Sequence, residues 1–261
     1  MHSTDRESLI IALIRHRGFV SFQELQSTID ASPATIRRDL ERMAGEGRLV
    51  RIHGGAKASE SATHRSKPNA MRLSGVPFHE NLGRSAPQKA AIGKAAAMLC
   101  SPGEAVMIDG GSTTLQMCPH LAGLDLQVLT NSLHIVNALL PQPGTRIVVP
   151  SGAVFREQNI ILAAADHSMP RFHAPKLFMG AASIGAQGLM QADMLLVTAE
   201  RRLIDRAEEV IVLADSSKFR GSSGLVVCGL EEIDKIITDA GIETSHRKLL
   251  ERSRVEVMIA N

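Results

Sequence analysis

The chain has 261 residues, of which 44% are hydrophobic and 21% charged, and its formal net charge is +2. This composition is typical of a soluble globular protein, and the length allows one large domain or two modest ones. No apolar run approaches the roughly 18 residues that a bilayer span needs, and the first ten residues lack the pattern of a signal peptide, so we predict a cytoplasmic protein with no membrane partner.

Three short helices are predicted within the first 46 residues. Residues 4–7 and 21–24 each have the pattern of a capping box, and an apolar stripe follows each of them. The third helix is predicted to begin at Pro33, because Ser32 is a favourable N-cap and proline at the first helical position lacks only an N–H that would be unpaired there. Apolar residues at helical spacing then predict its buried face, which consists of Ile36, Leu40 and Met43.

The opposite face of this third helix suits the major groove of DNA. Small and hydroxyl-bearing side chains in its first turns permit close approach, and the arginines that follow can bind base edges or phosphates. Residues 47–55 predict a small β-wing in which Leu49 and Ile52 face inward and the basic side chains face outward. The DNA-binding residues predicted on the helix and the wing are Ser32, Ala34, Thr35, Arg37, Arg38, Arg42, Arg48, Arg51 and His53.

A single basic helix is more often a solvated surface helix than a DNA-binding one. Here, however, two capping boxes, a short turn, a proline-started helix and a basic wing occur in order, which favours a winged helix-turn-helix. Residues 1–89 also carry a net charge of +5, against −3 for residues 90–261. The basic part of the chain is therefore the part predicted to bind a polyanion.

The remaining chain is predicted to form a linker and an α/β domain. We assign residues 1–57 to the DNA-binding domain, residues 58–88 to a linker rich in small and polar residues, and residues 89–261 to the α/β domain. Short apolar runs in this last part are typical of strands buried on both faces of a parallel sheet. The predicted strands are residues 105–108, 126–130, 146–149, 176–179, 210–214, 235–238 and 255–260, and helices are predicted at residues 90–99, 132–140 and 194–207.

Polar clusters follow five of these strands, at the carboxyl ends where open α/β sheets bind ligands. The first cluster, residues 109–114, combines an aspartate, two glycines and three hydroxyls. It predicts a phosphate cradle at a helix N-terminus, because glycine lets backbone N–H groups approach an anion closely. The other clusters offer groups that hydrogen-bond sugar hydroxyls and balance charge. The predicted effector-binding residues are Asp109, Gly110, Gly111, Ser112, Thr113, Thr114, Thr130, Asn131, Ser132, Ser151, Gly152, Gly180, Glu200, Asp215 and Lys218.

Two alternatives to a sensing site stay open on these residues. Each cluster taken alone could be only a cap of the following helix. The domain could also be an enzyme, a sugar-phosphate isomerase in which Asp109, Glu200 or Asp215 shuttles a proton. The DNA-binding module favours a sensor, which must release its ligand unchanged, so we assign no catalytic residue. The three cysteines and ten histidines lack the spacing of metal ligands, and we expect neither a metal site nor a cofactor.

Two segments of the sequence carry a family resemblance. Residues 32–40, S-P-A-T-I-R-R-D-L, and residues 51–56, R-I-H-G-G-A, closely resemble the signature of the DeoR family of bacterial sugar-metabolism regulators. The resemblance continues through I-D-G-G-S-T-T, T-N-S and A-D-S-S-K in the second domain. It implies a winged helix-turn-helix in which Thr35, Arg37 and Arg38 face DNA, and a parallel-sheet sensor domain with a fold similar to that of ribose-phosphate isomerases.

Four positions depart from the family pattern. Asn81 stands where the family usually has an arginine, Ser151 replaces the first of two glycines, Leu196 replaces a glutamate and Glu200 replaces a lysine. The variant at residues 193–200 resembles the branch of ascorbate-utilisation repressors. The resemblance implies a repressor of a carbohydrate-utilisation operon that binds operator DNA as a homo-oligomer, a dimer or tetramer, and that is controlled by a phosphorylated sugar or sugar acid.

Overall fold

The computed structural model of the chain describes residues 6–7, 9–11, 13–14, 19–29, 31–46, 49–52, 54–58, 78–163, 165–221 and 223–261. It divides into two compact units, Met1–Met71 and Arg72–Asn261. The division falls within the segment predicted to be a linker, whose exact ends stay a prediction.

The N-terminal unit is built from short helices and a three-stranded antiparallel sheet. The described residues between 6 and 14 are helical, and α1 (Phe22–Thr28) and α2 (Pro33–Gly45) follow. β1 (Phe19–Ser21), β2 (Leu49–Ile52) and β3 (Gly55–Ala58) pair in the order β1-β3-β2. The hairpin of β2 and β3 is the predicted wing, so the winged helix-turn-helix architecture is confirmed.

Local capping and burial explain why these helices form where they do. The Ser21 hydroxyl accepts a hydrogen bond from the Glu24 backbone N–H, and the Ser32 hydroxyl accepts one from the Thr35 N–H, each at 3.2 Å. The capping box predicted at residues 4–7 lies partly outside the described residues. The small core of the unit contains the predicted residues of α2 and is formed by Ile10, Ile14, Val20, Leu25, Ile29, Ile36, Leu40, Met43, Leu49 and Ala56.

The prediction that Ile52 faces inward is wrong. Side chains alternate between the two faces of a strand, so residues three positions apart in β2 point in opposite directions. Leu49 is buried and Ile52 is 42% exposed.

The larger unit is organised around a seven-stranded parallel sheet, and its seven strands are the seven that the sequence predicts. The strands are β4 (Ala105–Ile108), β5 (Gln127–Leu129), β6 (Arg146–Val148), β9 (Ala174–Met179), β12 (Ala207–Leu213), β14 (Lys235–Asp239) and β15 (Glu256–Ala260). The strand order is β15-β14-β12-β9-β4-β5-β6, and every pairing within it is parallel.

Helices of this unit include α3 (Phe78–Gly83), α4 (Ala86–Ala97), α5 (Leu133–Leu139), α6 (Met194–Ile204) and α7 (Thr244–Arg252). Two hydrophobic clusters pack against the sheet, and neighbouring residues of a strand belong to different clusters. Met107 belongs to one of them, whereas Val106 and Ile108 belong to the other. Burial on both faces is the physical reason for the continuous apolar runs of the sequence.

Two smaller antiparallel sheets complete the unit, and the sequence does not predict either. β7 (Gly152–Phe155) and β8 (Ile160–Ala163) form a hairpin. β10 (Ser183–Gly185), β11 (Gly188–Gln191) and β13 (Leu225–Cys228) form a three-stranded sheet. The helix predicted at residues 194–207 ends at Ile204, because β12 begins at Ala207.

The described residues contain neither a candidate bilayer span nor a candidate metal site. No described helix is long and apolar enough to cross a membrane. Within the described residues, no group of three or more His, Cys, Asp or Glu side chains is placed to hold a metal ion. Cys100, Cys118 and Cys228 are free and buried, and burial raises the pKa of each thiol to about 12.

Candidate functional site

The exposed face of α2 presents most of the helix residues predicted to bind DNA. Ser32, Ala34, Arg37 and Arg38 are exposed, and Thr35 is half-buried with its hydroxyl 2.8 Å from that of Ser32. The Arg37 guanidinium lies over the Phe22 ring of α1, 5.1 Å from the ring centroid. This cation–π contact orients Arg37 without burying it.

Two other predicted DNA contacts pair with carboxylates of the same unit. Arg42 lies 2.6 Å from Glu7, 3.3 Å from Asp39 and 3.7 Å from Glu46. Arg51 of the wing lies 2.8 Å from Glu41. These ion pairs compete with a phosphate for the same guanidinium groups, so the DNA-binding role of Arg42 and Arg51 stays a prediction. Arg48 and His53 lie outside the described residues.

The larger unit contains a cavity of about 230 Å³ beside the carboxyl ends of β4, β5 and β9. This volume is below the roughly 300–1,000 Å³ of sites for drug-sized molecules and therefore fits a small ligand. The structure brings nine predicted effector residues to its wall, which are Asp109, Gly110, Gly111, Ser112, Thr113, Asn131, Gly180, Glu200 and Lys218. Sequence reasoning missed other polar residues of the wall, among them Asn81, Gln158, Gln191 and Ser223.

The loop after β4 is held in shape by its own hydrogen bonds. The Thr114 hydroxyl donates to the Asp109 carbonyl at 2.7 Å, and the Gly111 N–H donates to the Thr114 hydroxyl oxygen at 2.9 Å. Thr114 is fully buried, so its hydroxyl shapes the loop, while Ser112 and Thr113 line the cavity. The helix that follows the loop is a short 3-10 helix, Thr114–His120.

The two glycines of this loop occupy closely packed positions and have no unusual backbone conformation. Neither is among the glycines with positive φ. A Cβ atom on Gly110 would lie 2.8 Å from Cγ2 of Ile160, and one on Gly111 would lie 3.0 Å from the Thr114 hydroxyl oxygen. A side chain on Gly110 would therefore displace Ile160 of the cavity wall, and one on Gly111 would press against the Thr114 hydroxyl that shapes the loop.

Six predicted effector residues do not line the cavity, and most of them have a local structural role. Thr130 and Ser132 accept hydrogen bonds from the backbone where α5 begins, and Asp215 accepts one from the Ser217 N–H. A Cβ on Gly152 would lie 1.9 Å from the Leu162 carbonyl oxygen, so this glycine permits the β7–β8 pairing. The six residues are Thr114, Thr130, Ser132, Ser151, Gly152 and Asp215.

Two carboxyl groups lie in the wall of the cavity and are both buried. Burial raises the pKa of Asp109, but hydrogen bonds from the Gly110 and Gly180 N–H groups and from the Asn131 amide oppose that rise. Burial and the neighbouring Asp109 raise the pKa of Glu200 well above its usual range. Gln191 donates to Oε1 of Glu200 at 2.5 Å. Asp109 is therefore the better stabilised carboxylate of the two.

A buried lysine connects the cavity wall to α4. Lys89 is 1% exposed and donates to the backbone carbonyl and the side-chain oxygen of Asn81 in α3. Burial lowers its pKa to about 8, and the nearby Asp215 opposes that shift. In the same helix as Asn81, Phe78 stacks on His134 with ring centroids 4.1 Å apart. The sequence contains one sign of this contact that the sequence analysis missed, because Lys89 lies on the buried side of the alanine-rich helix α4.

Comparisons with known proteins agree with this architecture. A model of the DeoR-like helix-turn-helix domain matches residues 6–62, and a model of the DeoR C terminal sensor domain matches residues 84–240. The HTH-type transcriptional regulators UlaR of Escherichia coli O127:H6 (strain E2348/69) and of Shigella dysenteriae serotype 1 (strain Sd197) are each 28% identical over 258 residues, which cover 99% of this chain and of theirs.

Among solved structures, a probable sor operon regulator from Shigella flexneri is 12% identical with a TM-score of 0.40 and covers 64% of this chain and 88% of its own. Ribose 5-phosphate isomerase A from Methanocaldococcus jannaschii is 18% identical with a TM-score of 0.37, and the match covers 54% of this chain and 55% of the isomerase chain. The sensor-domain match alone spans more than half of the chain, and the resemblance seen in residues 32–40 and 51–56 is confirmed. The chain belongs to the DeoR family and is a DNA-binding transcriptional regulator, not an enzyme.

Proposed function

We propose that this regulator represses a carbohydrate-utilisation operon and that a phosphorylated sugar or sugar acid in the cavity controls its binding to operator DNA. It acts in the cytoplasm as a homo-oligomer, a dimer or tetramer. The observation that carries the proposal is the cavity at the carboxyl ends of the parallel strands, where the Ser112–Thr113 loop and Lys218 face the same space.

The phosphate end of the ligand is assigned to this loop and to Lys218. Serine and threonine hydroxyls and backbone N–H groups donate to phosphate oxygens, and a lysine supplies the balancing charge. Lys218 is the cationic residue among the described residues that line the cavity. The sugar hydroxyls then reach Asn131, Gln191 and Glu200 on the wall.

Thermal unfolding of the full chain tests the ligand assignment. A bound phosphorylated sugar should raise the melting temperature, because a ligand at a hundred times its dissociation constant adds about 2.7 kcal/mol to the free energy of unfolding. Lys218→Gln should weaken binding about tenfold or more, since hydrogen bonds to charged groups contribute roughly 1.5–3 kcal/mol. Lys94→Gln is the matched control, because Lys94 is exposed on α4 and does not line the cavity. Equal binding by both variants would place the phosphate elsewhere.

A further inference from the structure

Within the described part of the chain, Glu200 is a buried side chain with a hydrogen-bond partner on only one of its two carboxyl oxygens. It projects from α6 into the cavity wall and is 3% exposed. Oε1 accepts the hydrogen bond from Gln191, whereas Oε2 has no partner among the described residues. An unpaired buried polar atom costs about 1–3 kcal/mol, so a group that the chain does not supply is expected opposite Oε2.

A second buried side chain of the cavity wall also has an oxygen atom without a hydrogen-bond partner in the part of the chain that the structure describes. Asn131 is 5% exposed, and its amide N–H group donates to Asp109. Its Oδ1 atom has no hydrogen-bond partner among the described residues. An amide oxygen only accepts, so the missing partner of Asn131 must be a donor.

The charge of this part of the wall restricts the partner further. Burial raises the pKa of both Asp109 and Glu200, and Asp109 raises that of Glu200 further, so this part of the wall disfavours an additional negative charge. A ligand carboxylate placed here would add a negative charge beside Asp109 and would offer no donor to Asn131. A hydroxyl group can donate to Asn131 Oδ1 and can either donate to or accept from Glu200 Oε2.

We infer that Glu200 and Asn131 recognise an uncharged, hydroxyl-bearing end of the effector, so that the cavity selects phosphorylated sugars and sugar alcohols and rejects phosphorylated sugar acids. This inference rests on the proposed function and narrows its ligand class. Glu200 is the specificity-determining residue, and Gln191 positions it. The phosphate end and the hydroxyl end of one ligand thus contact different parts of the wall.

A matched set of compounds tests the inference on the full chain. Alditol phosphates, aldose phosphates and phosphorylated aldonic acids of four to six carbons differ at the end away from the phosphate, and inorganic phosphate probes the phosphate end alone. We expect at least one alditol or aldose phosphate to raise the melting temperature and to bind about tenfold or more tightly than the corresponding aldonic acid, measured by calorimetric titration.

Two variants at position 200 separate recognition from a structural role. Glu200→Gln retains a donor and an acceptor, so it should bind the preferred compound within about threefold of the wild type. Glu200→Leu offers neither and should bind it about tenfold more weakly, because a ligand hydroxyl is left unpaired. Affinity for inorganic phosphate should change by less than about threefold in both variants, since phosphate does not reach this end. Thr198→Ala, at an exposed position of the same helix, is the control.

The outcomes distinguish this inference from the proposed function. Equal or tighter binding of the aldonic acids would overturn the inference and leave a phosphorylated effector in place. Wild-type affinity in a folded Glu200→Leu variant would overturn it as well. If inorganic phosphate and every phosphorylated compound failed to stabilise the wild type, the proposed function itself would be overturned.

Discussion

The arginines of α2 differ in their surroundings, although all of them lie outside the core of the unit. Arg38 is exposed, and Arg37 is exposed but rests on the Phe22 ring. Arg42 is surrounded by three carboxylates, one of which, Asp39, is buried and also binds Arg6 at 2.9 Å. The pairing of Arg42 joins the first helical segment to α2, whereas Arg38 is available to a phosphate or a base.

This difference predicts different results for two alanine substitutions. If Arg38 contacts a base, Arg38→Ala should weaken DNA binding by about 1–3 kcal/mol. If Arg38 contacts a phosphate, the substitution should reduce the salt dependence of binding by the share of one phosphate contact. In either case the stability of the protein should change little. Arg42→Ala should chiefly lower the stability of the N-terminal unit, because it leaves Asp39 with one cationic partner fewer. Fluorescence anisotropy with DNA from upstream of the chain's own gene, at several salt concentrations, measures the first effect, and urea unfolding measures the second. If Arg38→Ala and the wild type bound DNA with equal affinity and equal salt dependence, Arg38 would not be part of the DNA interface.

Glu200 predicts a pH dependence of the ligand-free protein. Its pKa in the folded protein lies above its usual value of 4.5, so between these two values the folded state binds a proton that the unfolded state has lost. The contribution of Glu200 to stability is therefore largest below pH 4.5 and is lost as the pH rises through the folded pKa, by up to about 1.4 kcal/mol per pH unit. Asp109 shifts in the same direction, and Lys218 shares the cavity wall.

The expected result is a difference between two pH profiles. Between pH 4.5 and the folded pKa of Glu200, the free energy of unfolding of Glu200→Gln should fall less steeply than that of the wild type, because glutamine does not titrate. Urea denaturation at each pH gives both curves. Parallel curves would show that Glu200 ionises in the folded protein as readily as in the unfolded chain.

Among the elements, the start of α2 combines two roles in one residue. The Ser32 hydroxyl caps the helix by accepting from the Thr35 N–H, and Ser32 is also exposed on the predicted DNA-binding face. A serine N-cap stabilises a helix by about 0.5–2 kcal/mol relative to alanine, and aspartate caps about as well as serine. Aspartate, however, adds a negative charge that DNA phosphates repel.

Substitutions at Ser32 should therefore separate the two roles. Ser32→Ala should lower the free energy of unfolding by about 0.5–2 kcal/mol, and Ser32→Asp should restore most of it. Despite that restored stability, Ser32→Asp should bind DNA more weakly than Ser32→Ala. Unfolding curves and DNA-binding curves for the same three proteins provide the comparison, and wild-type DNA affinity of Ser32→Asp would place the start of α2 away from DNA.

The sequence predicts a helix or strand well when the residues that determine it are close together in the chain. The seven parallel strands are predictable because each is an apolar run, and the caps at Ser21, Ser32 and Ser132 are predictable from hydrogen bonds within four residues. The hairpin of β7 and β8 and the sheet of β10, β11 and β13 are not, because their pairing depends on partners that the sequence pattern does not identify. For the same reason, Asn81 and Gln191 were missed as cavity residues: each reaches the cavity only through the tertiary fold.

At the scale of the whole molecule, the first described helix of the larger unit also forms part of the cavity wall. α3 is the first described element after residues 59–77, and its residues Phe78 and Asn81 line the cavity. Lys89 holds Asn81, and His134 stacks on Phe78. A ligand that contacts α3 can therefore bias the position of this helix, provided that it binds two arrangements of the protein with different affinities.

The most direct test of this account measures DNA affinity with and without a sugar phosphate that stabilises the protein, for the wild type and for Gly111→Val. The substitution should distort the loop that lines the cavity, because even its Cβ would lie 3.0 Å from the Thr114 hydroxyl oxygen that shapes this loop, and the N-terminal unit does not contain the loop. Gel shifts of DNA from upstream of the chain's own gene should show that the compound changes wild-type affinity about tenfold or more, within the usual range of allosteric coupling. The Gly111→Val protein should bind the same DNA as tightly as the ligand-free wild type and should not respond. A variant that responds at wild-type concentrations of the compound would contradict the account.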